Sequence, residues 1–127
     1  MKHILIVDDD PAIQHLFEQF LQGEGFSTAL AADGFEAVLL MKEQEPDLLI
    51  TDIIMDGMDG LALIREVRKR DVHMPVIAIS GGQCVLSVDF EERAEKDGAD
   101  EFMEKPVKLA DLLQSIQTLL DENPPVD

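Results

Sequence analysis

With 127 residues, 46% of them apolar, the chain suits one domain with a sizeable core, and global disorder is excluded. A net charge of −17, from 27 acids against 10 Lys and Arg, disfavours nucleic acid and anionic membranes as partners and favours divalent cations and basic protein surfaces. Cys84 stands alone, so no intramolecular disulfide or Cys-pair metal site is expected, and the apolar run after His3 is too short for a signal peptide or membrane span; a cytoplasmic location is the expectation.

Ile4-Leu5-Ile6-Val7 reads as a strand buried on both faces, and it stops at Asp8-Asp9-Asp10. Pro11 suits a first helical position, which makes Asp10 the N-cap of a helix carrying Ile13, Leu16, Phe17, Phe20 and Leu21 on one face and ending near Gly23 and Gly25. Residues 26–31 form a weaker strand. Asp33 and Glu36 have capping-box spacing and open a second helix with Ala37, Val38, Leu40 and Met41. Leu48-Leu49-Ile50 is a third strand that ends on Asp52.

Asp59-Gly60 then opens a third helix, with Leu61, Ile64 and Val67 inward and a basic end, Arg65 to Arg70, read as solvated. Residues 75–80 form a fourth buried strand. A loop with Gly81, Gly82 and Cys84 leads to a helix over 87–97, stopped by Gly98. Residues 101–104 form a short fifth strand closing on Lys105-Pro106, and a last helix carries Leu109, Leu112, Leu113, Ile116, Leu119 and Leu120. Residues 1–121 make one domain, and 122–127 a flexible tail. Strands alternating with helices in this way specify an α/β fold with a parallel sheet covered on both faces.

Parallel strands bring their C-terminal ends to one edge, where open α/β sheets bind ligands. Those ends carry Asp8, Asp9, Asp52, Ser80 and Lys105. Clustered carboxylates raise their own pKa unless a cation sits among them. Oxygen donors without Cys or His suit a hard ion, and Mg²⁺ takes few protein carboxylates together with phosphate oxygens. Asp10, Asp33 and Asp59 are read as helix caps. His3, His15 and His73 have no ligand spacing, and Cys84 is read as a plain loop residue.

The chain resembles the receiver domain of bacterial two-component response regulators over residues 2–121. The resemblance rests on Ile4 to Pro11, Asp47 to Asp52, Met58-Asp59-Gly60, Pro75 to Ser80 and Lys105-Pro106, in the right order and spacing. It implies a flavodoxin-like (βα)5 doubly wound sandwich with a five-stranded parallel sheet in order 2-1-3-4-5. Asp52 would be the phosphoacceptor. Asp9, Asp52 and the backbone carbonyl of Ile54 would ligate Mg²⁺, with Asp8 acting through water or a hydrogen bond. Ser80 and Lys105 would contact the phosphoryl oxygens, and Ser80 with Phe102 would switch the face formed by the fourth helix, fifth strand and fifth helix.

The implied role is a phosphorylatable stand-alone receiver, similar to the chemotaxis response regulator. A sensor histidine kinase or histidine phosphotransfer protein would donate phosphate, and a downstream protein would read the switched face. The chain would be a monomer or weak dimer, and no enzyme beyond its own phosphoryl transfer and dephosphorylation. Asp56 departs from the family pattern, where proline is usual, and the Gly81–Asp89 segment is longer than usual. Both keep a phosphorylation-independent adaptor as an alternative. A Mg²⁺-dependent phosphatase with an aspartyl nucleophile fits the Asp8-Asp9-Asp10 run poorly, because Pro11 starts a helix at once.

Overall fold

A computed structural model describes residues 1–55, 59–71, 73–81 and 94–122. In chain order they form β1 (His3–Val7), α1 (Pro11–Gly23), β2 (Ser27–Ala31), α2 (Gly34–Glu43), β3 (Leu48–Asp52), α3 (Gly60–Arg70), β4 (Val76–Gly81), a helical segment α4 (residues 94–97), β5 (Glu101–Lys105) and α5 (Leu109–Glu122). The strands pair in parallel in the order β2-β1-β3-β4-β5, as the resemblance implied. β4 begins one residue later than the sequence suggests, because Pro75 has no N–H to give the ladder, and β5 takes in Lys105. Asp56, Cys84 and residues 82–93, with most of the expected fourth helix, lie outside the described residues, as does the tail from 123.

Alternation along the strands sorts the core into two layers. Leu5, Val7, Leu49 and Ala78 face one way and pack with Ala37 and Met41 of α2, Leu61, Ile64 and Val67 of α3 and Ala94 of α4. Ile4, Ile6, Leu48, Ile50, Ile77 and Ile79 face the other way, against Phe17 and Leu21 of α1 and Leu112 and Ile116 of α5. β1 and β3 are buried throughout, which is why they read as unbroken apolar runs, whereas edge strand β5 is buried nowhere along its length.

Each of the three anticipated caps is in place. Asp10 accepts from the Ala12 N–H at 2.9 Å, Asp33 from Glu36 at 2.9 Å and Asp59 from Ala62 at 2.8 Å. These caps begin α1 and α2 just beyond the C-terminal ends of β1 and β2, and α3 later along the chain after β3.

The basic end of α3 departs from expectation. Arg68 is not a solvated cation: its guanidinium donates to the carbonyls of Gly98 at 2.6 and 2.9 Å, Met74 at 2.6 Å and Asp71 at 3.1 Å, and to the Asp100 carboxylate at 2.9 Å. It ties α3 to the starts of β4 and β5 at the edge away from the acids. Gly98, at φ +114, lies so close that a Cβ there would meet the Arg68 side chain at 2.7 Å. Arg68→Met is therefore expected to cost about 1–3 kcal/mol, since it strands part-buried carbonyls that the guanidinium satisfies. Arg65→Met, losing a pair to Asp97 that is half exposed on the Arg65 side, is expected to cost less than ~0.5 kcal/mol. Urea unfolding of the two variants side by side checks the contrast.

Candidate functional site

The end of β3 and its neighbours bring four charged side chains together. Val7 pairs with Thr51 across β1 and β3, so the acids after β1 lie beside Asp52, and Asp52 pairs with Ile79, one residue before Ser80. Gly81 pairs with Lys105, which places the lysine at the same edge. Asp8 and Asp52 are buried, at 2% and 6% exposure, while the adjacent Asp9 is exposed.

Lys105 is the cation among them. Its Nζ donates to Asp8 Oδ2 and Asp52 Oδ2, each at 3.0 Å. The other Asp8 oxygen accepts from the Asp10 N–H at 2.9 Å, and Asp52 Oδ1 accepts from the Ile54 N–H at a longer 3.3 Å. Asp8 is thereby held on both oxygens, and Asp52 keeps its Oδ1 loosely bound. Ile54 itself is half exposed beside the carboxylate.

Burial pushes the Asp52 carboxyl above its ordinary value; Lys105 pulls it back and the neighbouring Asp8 charge adds to the rise. For Lys105, burial works against the charged form, but its hydrogen bonds to Asp52 and Asp8 and the attraction of their charges outweigh it, and the ammonium is held above its ordinary value. A carboxyl raised on folding costs stability above its folded pKa and costs none below its unfolded one. In the presence of a chelator, Asp52→Asn is therefore expected to melt a few degrees higher than the parent at neutral pH, with the gain shrinking as the pH falls into the carboxylate range. Calorimetry across that range checks both the sign and the trend.

Asp8, Asp9 and Asp52 can each offer a carboxylate oxygen with all three within 4.8 Å of one another. The donors are oxygen only, and the local charge, three carboxylates against one ammonium, leaves room for a divalent cation. The set fits Mg²⁺.

Ser80 is fully buried, and its hydroxyl donates to the Gly81 carbonyl at 3.4 Å, a long bond easily exchanged for another. Phe102 lies opposite Ala78, half-buried against the layer that holds α2, α3 and α4. The geometry thus gathers Asp8, Asp9, Asp52 and Lys105 directly, sets Ser80 at the end of the next strand, and places Phe102 on β5 opposite Ala78, two residues before Ser80.

One supporting residue, Gln14, was not singled out from sequence. Gln14 of α1 donates from its side chain to the Asp8 carbonyl at 2.7 Å and the Ala31 carbonyl at 2.9 Å, clamping the ends of β1 and β2. A polar residue on the inward side of an amphipathic helix was the available signal. Gly60 gives its N–H to the Ile53 carbonyl at 2.9 Å, joining the start of α3 to the residue after Asp52.

Comparison with known proteins places this geometry in context. The sequence profile of the response regulator receiver domain matches residues 4–117. The transcriptional regulatory protein TrcR of Mycobacterium tuberculosis is 34% identical over 117 residues, covering 92% of this chain and 44% of that protein. The DNA-binding response regulator MtrA of Mycolicibacterium smegmatis is 32% identical over 122 residues, covering 96% of this chain and 52% of that protein. The chain therefore spans about half the length of these curated relatives. Among solved structures, a receiver domain protein (CheY-like) from Methanospirillum hungatei superposes with a TM-score of 0.89 at 32% identity, covering 97% of this chain and 96% of that one. A receiver domain protein from Clostridium thermocellum gives 0.88 at 29% identity, with 96% of both chains covered.

Proposed function

The chain belongs to the response regulator receiver domain family, and from that premise we propose that Asp52 accepts a phosphoryl group from a phosphohistidine of a sensor kinase or phosphotransfer protein. The observation that carries the reading is the Lys105 ammonium bridging two buried carboxylates at 3.0 Å each, beside a third acid. Asp9, Asp52 and the Ile54 carbonyl would hold Mg²⁺, with Asp8 acting through water or a hydrogen bond, and the ion would neutralise charge on the transferring phosphoryl.

Asp52 attacks phosphorus, its new P–O bond forming as the P–N bond to the donor imidazole breaks, and an aspartyl phosphate results. Lys105 turns its ammonium from the carboxylate to a phosphoryl oxygen, and the Ser80 hydroxyl exchanges its long bond to Gly81 for another. Movement of Ser80 frees space for Phe102 to turn inward, which alters the surface of α4, β5 and α5 that a downstream protein reads. The acidic surface argues against nucleic acid as a direct ligand of this domain, and among the described residues no helix is long and apolar enough to cross a membrane.

Incubation with Mg²⁺ and acetyl phosphate, followed by intact-mass analysis, tests the reading. One hydroxylamine-labile phosphoryl adduct, absent from Asp52→Asn, is expected. An unmodified protein under all conditions, or phosphate release from unrelated monoesters that survives Asp52→Asn, would overturn it.

A further inference from the structure

Helix α2 carries an apolar ridge that stands open to water. Phe35 is 59% exposed and Leu39 62%, the most exposed large apolar side chains among the described residues apart from Met1 at the chain start. Spaced i, i+4, they lie about 6 Å apart along one side of the helix, and Glu43 continues the same row at i+8. Glu43 in turn lines a cleft of about 320 Å³ between α2 and strands β1 and β2, at the sheet edge away from Asp52. Leu5, Ala29 and Leu40 give this cleft apolar walls, and His3 and Ser27 a polar end, where His3 Nδ1 lies 2.9 Å from Ser27 Oγ. The His3 N–H donates to the Asp47 carboxylate and its carbonyl accepts from the Asp47 N–H, each at 2.7 Å, so that end is fixed before anything binds.

We propose that α2 docks an amphipathic helix of another protein, two of whose apolar side chains cover Phe35 and Leu39 while a Lys or Arg of the next turn enters the cleft at Glu43. The chemistry of the surface selects this occupant. The ridge offers apolar area at helical spacing, the recognition mode of one helix laid along another. A cleft with apolar walls and an exposed carboxylate suits a long cationic side chain, its methylenes inside and its charge at Glu43. Around the ridge Glu36, Glu43 and Glu45 are exposed against Lys42 alone, so the local charge has the sign of the whole chain. A net charge of −17 draws a basic partner from a distance and repels a second copy.

Position separates this surface from the phosphorylation switch. α2 packs on β2, at one end of the sheet, whereas the face of α4, β5 and α5 lies at the other. A helix docked on α2 leaves that face free and stays bound in both states of Asp52. The proposal does not rest on the reading of Asp52 as phosphoacceptor.

Fluorescence anisotropy of the intact chain with three-heptad helical peptides tests the proposal. One peptide has a leucine seam flanked by lysines, a second has the same residues with the leucines scattered round the helix, and a third has glutamates in place of the lysines. The first is expected to bind at least about 10-fold more tightly than either of the others. Phe35→Ser and Leu39→Ser should each weaken it by about 5–20-fold, the worth of burying most of one such side chain. Glu43→Gln should weaken it by ~2–5-fold, and Glu45→Gln, the same change of net charge outside the cleft, by less than ~2-fold. Asp52→Asn should bind as the parent does, with circular dichroism confirming that every variant folds. Equal binding of the first two peptides would reduce the attraction to net charge and overturn the proposal. Retained affinity in Phe35→Ser and Leu39→Ser, equal effects of Glu43→Gln and Glu45→Gln, or loss of binding in Asp52→Asn would each overturn it as well. A dimer seen by sedimentation equilibrium and dissolved by Leu39→Ser would give the ridge to a second copy of the chain and overturn the basic partner.

Discussion

Replacing Lys105 by Met is expected to cost about 2–4 kcal/mol of stability in chelator and to slow phosphorylation of Asp52 by ~10²–10³-fold. Methionine keeps much of the apolar stem and removes only the charge, so the loss reports the ammonium. Without it, Asp8 and Asp52 face each other at 2% and 6% exposure with no cation between them. Removing one partner from a buried ionic group costs most because it leaves charge uncompensated, and here two carboxylates are left.

The pH dependence separates this account from simple loss of packing. Lys105 has a folded pKa above its unfolded one, so its contribution is fully present below the unfolded pKa and lost as the pH rises through the folded value. The parent is expected to weaken at strongly alkaline pH through this group, and Lys105→Met to lack that component. The gap between the two should also narrow in acid, where Asp52, whose carboxyl is raised by burial, takes up its proton. Denaturant melts with chelator and with Mg²⁺ complete the check: a divalent cation supplies the missing charge and should return part of the lost stability. A Lys105→Met protein as stable as the parent at neutral pH would remove Lys105 from the centre of the site. Lys105→Arg is not expected to restore the rate, because a bulky planar guanidinium would replace a compact ammonium with rotatable donors between two carboxylates at 3.0 Å each.

How far the sequence announces this arrangement depends on whether each contact is local. The caps at Asp10, Asp33 and Asp59 are legible because acceptor and donor lie within three residues of each other. β1 and β3 are legible because burial on both faces leaves unbroken apolar runs, and the parallel arrangement that follows places Asp52 and Lys105 on one edge although they are 53 positions apart. Arg68 was read as solvated because the basic run gives no hint that Gly98 and Asp100 fold back to meet it, across 30 and 32 positions. Leu16 lies on the apolar stripe of α1 and reads as core, yet it is 47% exposed, which only the packing of the folded chain shows.

Gly60→Ala is expected to destabilise the fold by at least ~3 kcal/mol, and its cause lies at the acceptor rather than in helix propensity. A Cβ at Gly60 would collide with the Asp52 carbonyl oxygen and stand 2.7 Å from the Ile53 Cα and 2.8 Å from the Asp52 carbonyl carbon. All three are backbone atoms, so no flexible side-chain end can yield. Either the start of α3 moves away from β3, breaking the Gly60 N–H to Ile53 carbonyl bond, or the chain at Asp52 moves with it. Overpacking of this kind typically costs ~1–3 kcal/mol where side chains can adjust, and more where they cannot. Gly23→Ala is the internal control: a Cβ there meets nothing within 4 Å, and the substitution at the end of α1 is expected to be neutral or mildly stabilising. The same displacement reaches the chemistry, because shifting Asp52 by about 1 Å relative to Lys105 can cost ~10²-fold in a transfer that depends on positioning. Urea denaturation of both glycine variants and the rate of their phosphorylation should therefore fall together in Gly60→Ala and stay near the parent in Gly23→Ala. A Gly60→Ala protein that loses stability yet phosphorylates at the parent rate would show that α3 alone absorbs the clash, and would detach the placement of Asp52 from the close approach of this helix.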